Sequence, residues 1–166
     1  RLKSEESYFA TVIKKHNEYD VAVLKEAMII ASQKDPKLLR KNIDLLPEDQ
    51  KVIKTILTQD FIADLEDSDI EKIVKKGNLE SNDFIDVVKS LKSKLTPNRL
   101  VKIFEVLSEK EPKAESALLY IYFDLEMITN AKERLSGNDD KEMEKYRAYL
   151  ALKEGGNHFS IDNILK

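Results

Sequence analysis

Apolar residues recur along most of the chain at spacings of three and four positions, which is the period of one face of an α-helix. Residues that start or stop helices bracket each apolar stripe, and no stretch is left that needs to form a strand. The pattern therefore predicts an all-α fold. We expect eight to ten short helices, arranged as stacked hairpins or as an irregular α-superhelix.

All four prolines and all four glycines lie where a predicted helix begins or ends. Proline is pre-organised for a first helical turn, and glycine closes a helix because it adopts positive φ without strain. We therefore expect helices to begin at the prolines and to end at the glycines. These positions are Pro36, Pro47, Pro97 and Pro112 for the starts, and Gly77, Gly137, Gly155 and Gly156 for the ends.

Short polar side chains mark the other expected starts, because they accept hydrogen bonds from the free N–H groups of a first turn. The longest predicted helix follows Pro112 and continues to about Ser136. It contains the most apolar run of the chain, Ala117 to Ile128, which is only 12 residues long and includes two acids, so it predicts a buried helix and not a membrane span. The polar starts are Ser4, Asp20, Ser68, Ser81, Asp139 or Asp140, and Ser160.

The middle of the chain contains a repeated phrase. A leucine is followed by polar capping residues and then by apolar residues at +5, +8 and +9, beginning at Leu65, Leu79 and Leu95, with a looser version at Leu46. Units of this kind hold one helix and one turn, and they bury their apolar faces by stacking. The alternative is that each leucine is a hydrophobic staple of an ordinary short helix. Both interpretations stay open at this point.

Three phrases of the repeat carry a resemblance to a known architecture: Leu46-Pro47-Glu48-Asp49, Leu79-Glu80-Ser81 and Leu95-Thr96-Pro97, each leading into an apolar helix. On these phrases, residues 45–107 resemble the single-helix superhelical modules in the cytosolic N domain of MgtE-type magnesium transporters. They are similar in the same way to the middle domain of the flagellar rotor switch protein. The resemblance implies a regulatory or docking module without catalysis.

The tail, residues 120–166, resembles the C-terminal helices of oligoendopeptidase-type zinc metallopeptidases. Those enzymes bind zinc with a His-Glu-x-x-His motif, whereas this chain has only His16 and His158, far apart. The resemblance therefore implies a helical segment and transfers no zinc-binding or catalytic role. It is carried by Tyr120, Ala131-Lys132, Leu135, Gly137, Glu144-Lys145-Tyr146, Tyr149-Leu150, Gly155-Gly156 and Ile161 to Lys166.

Composition narrows the classes of function. The 28 basic and 31 acidic residues are interspersed and give a net charge of −3, so we expect no basic face for nucleic acid. Without cysteine there are no disulfides or thiolate zinc sites, and without a glycine-rich loop no nucleotide cradle is expected. We expect no cofactor, no metal site, no catalytic residues and no transmembrane segment.

The 166 residues fit one all-helical domain, 1–166, or a helical-repeat part, 1–110, followed by a C-terminal helical hairpin, 111–166.

Asp124 and a group of tyrosines are the candidate site residues. On a helical wheel Asp124 falls on the apolar stripe, so it must be paired, hydrogen-bonded, or shifted to a higher pKa. It is either a site or interface acid, or the structural partner of a tyrosine or lysine on a neighbouring helix. The tyrosines are either binding hot spots or ordinary core residues. They are Tyr120, Tyr122, Tyr146 and Tyr149.

These features favour a non-enzymatic helical interaction or scaffold module. The chain begins at Arg1 and not Met, so we expect it to be part of a larger protein. Its partner would be another protein or another domain of the same protein. One alternative is a catalytically empty segment or accessory domain of a peptidase-like enzyme, and another is a helical bundle that binds a small ligand. If the chain is a scaffold, we expect a groove or an exposed patch. If it is an enzyme segment, we expect a truncated edge, and if it is a ligand-binding bundle, we expect an enclosed apolar cavity.

Overall fold

The computed structural model describes residues 36–165 and, before them, residues 11–12, 14–15, 18–20, 22–23, 26–27 and 30. Asp20 accepts a hydrogen bond from the backbone N–H of Val23 at 2.9 Å, as expected of a helix cap. The predicted start at Ser4 and the histidine at position 16 lie outside the described residues.

Residues 36–165 form eight α-helices joined by short turns, and no strand occurs among the described residues, so the predicted all-α fold is confirmed for this part of the chain. Five 3-10 helices lie between or after them: Ile43–Leu45, Asp60–Asp64, Pro112–Ala114, Lys141–Met143 and Ile161–Ile164. The α-helices are α1 (Pro36–Lys41), α2 (Gln50–Leu57), α3 (Asp67–Lys76), α4 (Ser81–Leu91), α5 (Pro97–Lys110), α6 (Glu115–Asp124), α7 (Ile128–Ser136) and α8 (Glu144–Glu154).

The helices of the repeat pack against their second neighbours along the chain. α2 packs on α4, α4 on α6, and α3 on α5, while α2–α3 and α5–α6 contacts join the two rows. Every apolar residue of the predicted phrases is at most 6% exposed. Packing of alternate helices is the arrangement expected of stacked units and favours that interpretation over isolated staples. The buried phrases are Leu65, Ile70, Ile73 and Val74; Leu79, Phe84, Val87, Val88 and Leu91; and Leu95, Leu100, Ile103, Phe104 and Leu107.

Ion pairs also connect these alternate helices. Lys54 of α2 pairs with Asp83 of α4, 29 residues later, and Arg40 of α1 pairs with Asp69 of α3 at the same separation, 2.8 Å from Nε to Oδ2. Asp69 and Asp83 both stand at the third position of their helix, where each accepts a hydrogen bond from the N-cap backbone N–H. In α5 the third position is Arg99, which instead donates to Asp67 of α3 at 2.8 Å. The acid at the third helical position, paired with a cation 29 residues earlier, therefore recurs in α3 and α4, whereas α5 reverses the charges.

Several predicted helix starts are wrong by one to three residues. α2 begins after Asp49, whose carboxylate accepts from the Val52 N–H, so Pro47 lies outside the helix. The N-caps of α3 and α4 are Glu66 and Glu80, where Ser68 and Ser81 were expected. In these two helices the aspartate at the third position binds the backbone of the preceding glutamate, and this reciprocal capping sets the start.

The long helix predicted after Pro112 is also wrong, because the structure divides it into α6 and α7. Residues 125–127 form the break, and Glu126 adopts the left-handed region with φ 58°. The Met127 N–H donates to the Tyr122 carbonyl at 2.7 Å and closes α6 there. The longest described α-helix is α5, with 14 residues.

Positive φ does not explain most of the glycines. Gly77 has φ −74° and Gly137 has φ −96°, and among the described glycines only Gly156 is left-handed, with φ 88°. At Gly77 the requirement is space, since a Cβ would lie 2.9 Å from Leu79 Cδ2 and 3.2 Å from Ile53 Cγ2. This glycine therefore ends α3 by allowing the next turn to pack closely.

The last helices share a core with the repeat. One cluster of buried apolar side chains runs from Val12 to Ile161. The chain after α8 turns back and buries Ile161, which is 1% exposed, after Ser160 caps the final 3-10 helix. None of the helices in the described residues is long and apolar enough to cross a bilayer.

Candidate functional site

The five predicted site residues lie on two helices of the C-terminal region and make separate contacts. α6 carries Tyr120, Tyr122 and Asp124, and α8 carries Tyr146 and Tyr149. The four tyrosines are at most 4% exposed. They therefore serve as core residues, each with its own environment, and do not present a shared surface.

Tyr120 and Tyr149 hold the end of the chain. We call residues 159–165 the C-terminal strap. The Tyr120 hydroxyl donates to Asp162 Oδ1 at 3.0 Å, and the Tyr149 hydroxyl donates to the Phe159 carbonyl. Burial, together with the nearby Asp162 carboxylate, raises the pKa of Tyr120 well above its usual value. Both phenols thus stay neutral and act as hydrogen-bond donors.

Tyr122 belongs to a polar cluster that joins α5, α6 and α7. Its hydroxyl donates to Glu105 Oε1 of α5 at 2.7 Å. Arg134 of α7 donates to both carboxylate oxygens of Glu115, at 2.7 and 3.0 Å, and to the Ser108 hydroxyl at 2.7 Å. Burial followed by the Glu105 hydrogen bond raises the pKa of Tyr122. No sequence pattern points to Glu105 or Ser108, because both lie within an ordinary amphipathic helix.

Phe123 is the centre of the aromatic packing between α6 and α8. Its ring lies 4.9 Å from that of Tyr149 in an edge-to-face arrangement and 6.4 Å from that of Tyr146, parallel to it. Among the described residues, the buried Tyr146 hydroxyl has no hydrogen-bond partner. Burial raises the pKa of Tyr146 to about 12, and the Ser116 side chain opposes this shift only in part.

Asp124 is paired with a lysine of a neighbouring helix end. Lys92 Nζ lies 2.7 Å from Asp124 Oδ2, and the aspartate side chain is 19% exposed. The pair borders an apolar cavity of about 140 Å³, smaller than the roughly 300–1,000 Å³ of ordinary small-molecule sites. The geometry matches the structural interpretation of Asp124. The apolar lining comes from Val88, Leu95, Pro97, Leu100, Ile121 and Leu125.

A concave surface larger than this cavity lies elsewhere, where three helices begin. Two adjoining hollows of about 490 and 500 Å³ share Glu80, Ser81 and Glu142, and we call them together the helix-start cleft. The start of α4, the turn before α6 and the 3-10 helix before α8 form its walls. It is open and predominantly polar. The other lining residues are Asn82, Ser108, Pro112, Lys113, Glu115, Ser116, Asn138, Asp140, Lys141, Met143 and Lys145.

Charges of both signs line the helix-start cleft. Lys113 Nζ is 2.7 Å from Glu80 Oε1, and Glu115 is engaged by Arg134, so these charges are already paired. Lys141, Glu142 and Lys145 are exposed at its mouth. Among the described residues, no group of three or more acids or histidines could hold a metal ion. The arrangement suits a polar segment of mixed charge, held by hydrogen bonds and ion pairs.

The sequence marks the individual helix starts that line the cleft, but no local pattern shows that they meet. Glu80, Pro112 and Asp140 each stand at a helix start, and stacked units bring every second start to the same end.

Comparison with known proteins does not identify the chain, because it matches no family model, no curated protein and no solved structure. The resemblances of residues 45–107 and 120–166 to known families therefore stay predictions.

Proposed function

We propose that the chain is a non-enzymatic helical interaction module that docks a partner protein, or another domain of its own protein, in the helix-start cleft. The observation that carries the proposal is the cleft itself. Its two hollows measure about 490 and 500 Å³, and helix starts and inter-helix turns form its walls. Turns held on a rigid helical stack are common positions for binding residues.

The contacts of the candidate side chains also support docking over catalysis. Asp124, Tyr120, Tyr122 and Tyr149 are each used in a contact that joins elements of the fold. At the cleft mouth, Lys141 and Glu142 are instead adjacent, opposite in charge and exposed to solvent. Two such side chains can orient a partner of complementary charge without any change in the fold.

A net-neutral charge exchange tests the proposal. The double variant Lys141→Glu with Glu142→Lys reverses the charge pattern of the cleft mouth and leaves the net charge of the chain unchanged. A partner recovered with the wild-type chain from its native source is purified, and its dissociation constant is measured by calorimetry. We expect binding to the double variant to be weaker by about tenfold or more, which is about 1.4 kcal/mol.

The matched control is Glu71→Lys with Lys72→Glu, a net-neutral exchange on α3, which does not line the cleft. It should bind the partner with wild-type affinity. Equal affinity of all three proteins would contradict docking in the cleft. Thermal unfolding of each variant verifies that a loss of binding is not a loss of fold.

A further inference from the structure

The C-terminal strap lies in a groove on α6 and α8 and is held there as a bound peptide would be. Ile161 supplies the buried side chain of the strap, at 1% exposure, while Phe159 is 52% exposed. A main-chain carbonyl of the strap accepts the Tyr149 hydroxyl, and the Asp162 carboxylate accepts the Tyr120 hydroxyl. The groove therefore contacts three features of the strap, in chain order: a main-chain carbonyl, an apolar side chain and a carboxylate.

A third helix completes the recognition of Asp162. Lys89 of α4 places Nζ 3.7 Å from Asp162 Oδ1 and 5.7 Å from the centre of the Tyr120 ring. This cation and the Tyr120 hydroxyl thus face the same carboxylate. All of these contacts come from side chains of the helical body, and none depends on which chain supplies the strap.

The connection between α8 and the strap is short and exposed. It consists of Gly155, Gly156, Asn157 and His158, all of them exposed. Gly156 has φ 88°, a conformation that glycine adopts at no steric cost and from which it can rotate over a wide range. In this segment, backbone rotation at two adjacent glycines can redirect the strap away from its own groove while α8 stays packed.

We propose that the groove beneath the strap is a self-association site, in which the strap of a second copy of this chain replaces the chain's own strap. In the exchanged dimer each groove keeps its buried isoleucine, both tyrosine hydrogen bonds and the Lys89–Asp162 pair. Only the connection 155–158 changes conformation, which is the usual requirement for exchange of a terminal element between copies. The proposal is independent of the helix-start cleft and does not rest on docking there.

Two charge variants test the exchange with the full chain. Asp162→Lys sets two cations against each other in its own groove, and Lys89→Glu sets two acids against each other. When the two variants are mixed, each strap finds an opposite charge only in the groove of the other chain. Lys89 and Asp162 are each about half exposed, so both variants should fold.

We expect the equimolar mixture to form a heterodimer of twice 19.1 kDa, measured by light scattering and native mass spectrometry. Its amount should exceed the dimer in either variant alone by about tenfold, as for a preference of about 1.4 kcal/mol. A chain that carries both substitutions restores the pair in its own groove and in that of a second copy, and it should dimerise no more than the wild-type chain. A mixture that stays monomeric at every concentration, with both variants folded by circular dichroism, overturns the proposal.

A second measurement avoids dependence on the charge variants. Ile161→Asp in the full chain expels its own strap and leaves the groove empty. A labelled peptide of residues 157–165 should then bind this variant at least about tenfold more tightly than the wild-type chain, whose groove is filled. The same peptide with Ile161→Asp is the control and should bind neither. If the folded Ile161→Asp chain does not bind the wild-type peptide, the groove is not exchangeable and the proposal is wrong.

Discussion

The repeat region, residues 46–107, and the C-terminal region, residues 115–165, are both helical and share one core, but different contacts hold them together. In the repeat region, apolar side chains at fixed positions are buried, and ion pairs such as Lys54–Asp83 join alternate helices. In the C-terminal region, Phe123 packs against two tyrosines, and tyrosine hydroxyls bind the strap. The contacts of the repeat region recur along the chain, whereas those of the C-terminal region occur at one place.

This difference decides how each region should respond to substitution. Contacts that repeat are distributed, so the loss of one charge pair leaves the neighbouring units in place. Contacts made once are concentrated, so the loss of one aromatic ring removes several partners at the same time. The following changes test that contrast.

Phe123→Ala should have the largest effect. The ring is 1% exposed and touches both Tyr146 and Tyr149, so its removal leaves a cavity between α6 and α8. We expect a loss of about 3–5 kcal/mol in the free energy of unfolding, measured with urea. Hydrogen exchange should also speed up in α8 and the strap before the global transition.

Two controls make the comparison specific. Phe104→Ala, at 0% exposure in α5, should cost a similar amount without selective opening of the strap. Phe159→Ala, at 52% exposure, should change stability by less than about 0.5 kcal/mol. If Phe104→Ala opens the strap as readily as Phe123→Ala does, the C-terminal region has no separate fastening.

Two helix-end glycines give the next largest difference. Gly77→Ala places a Cβ against Leu79 and Ile53, and we expect it to destabilise the chain by about 1–3 kcal/mol through overpacking. At Gly137 an added Cβ meets no atom of the described residues within 4 Å, and φ is −96°, so Gly137→Ala should stabilise the chain by about 0.5 kcal/mol by restricting the unfolded state. Thermal unfolding of the pair should give shifts of opposite sign. Shifts of equal sign would mean that the turn after Gly77 is not closely packed.

The sequence predicts the repeat region well because its local and tertiary requirements agree. The same positions that form an amphipathic stripe also face the neighbouring helices, and Thr96 and Pro97 cap and begin α5 as expected. The errors at Ser68 and Ser81 are small, since any acid or hydroxyl near the start can cap. Arg40 and Lys54 lie 14 residues apart, and so do Asp69 and Asp83. This spacing can be interpreted as a repeated ion pair only once the packing of alternate helices is known.

The C-terminal region is less predictable because its decisive features are tertiary. No proline or glycine marks the break at residues 125–127, and the left-handed Glu126 is held by contacts such as the Lys153 ion pair at 2.9 Å. Asp124 stands out in the sequence as an acid on an apolar stripe, yet its partner Lys92 lies 32 positions earlier. The cleft and the strap groove each combine elements from distant parts of the chain, and no local pattern encodes that combination.

Asp83→Asn tests the repeat region with a smaller effect. Asp83 accepts hydrogen bonds from Lys54, Gln50 and the Glu80 backbone, so its neutral replacement should cost about 1 kcal/mol. Asp60→Asn is the control, because Asp60 pairs with Lys94 but its side chain is fully exposed, and it should leave stability unchanged. Equal effects of the two would mean that the capping aspartate contributes no more than a surface charge.

The pH dependence of the same variant has a defined sign. The hydrogen bond from Lys54 lowers the pKa of Asp83 below its ordinary value of 3.8. The carboxylate therefore stabilises the folded chain above about pH 3.8, and this contribution is lost as the pH falls through the lower folded value. Urea midpoints measured from pH 5 to pH 2 should fall less steeply for Asp83→Asn than for the wild-type chain. Parallel curves would show that Asp83 titrates alike in the folded and unfolded states.

The smallest effect separates two tyrosines of the C-terminal region. Tyr146→Phe removes a buried hydroxyl that has no hydrogen-bond partner among the described residues, and it should leave stability unchanged or raise it by up to about 1 kcal/mol. Tyr122→Phe removes the hydrogen bond to Glu105 and should cost about 1 kcal/mol. Burial raises the folded pKa of Tyr146 from 10.0 to about 12, so its contribution is complete below pH 10 and is lost as the pH rises through 12. Tyr146→Phe should therefore lose less stability than the wild-type chain over that alkaline range. A loss at neutral pH as large as that of Tyr122→Phe would show that the Tyr146 hydroxyl has a bonding partner in solution.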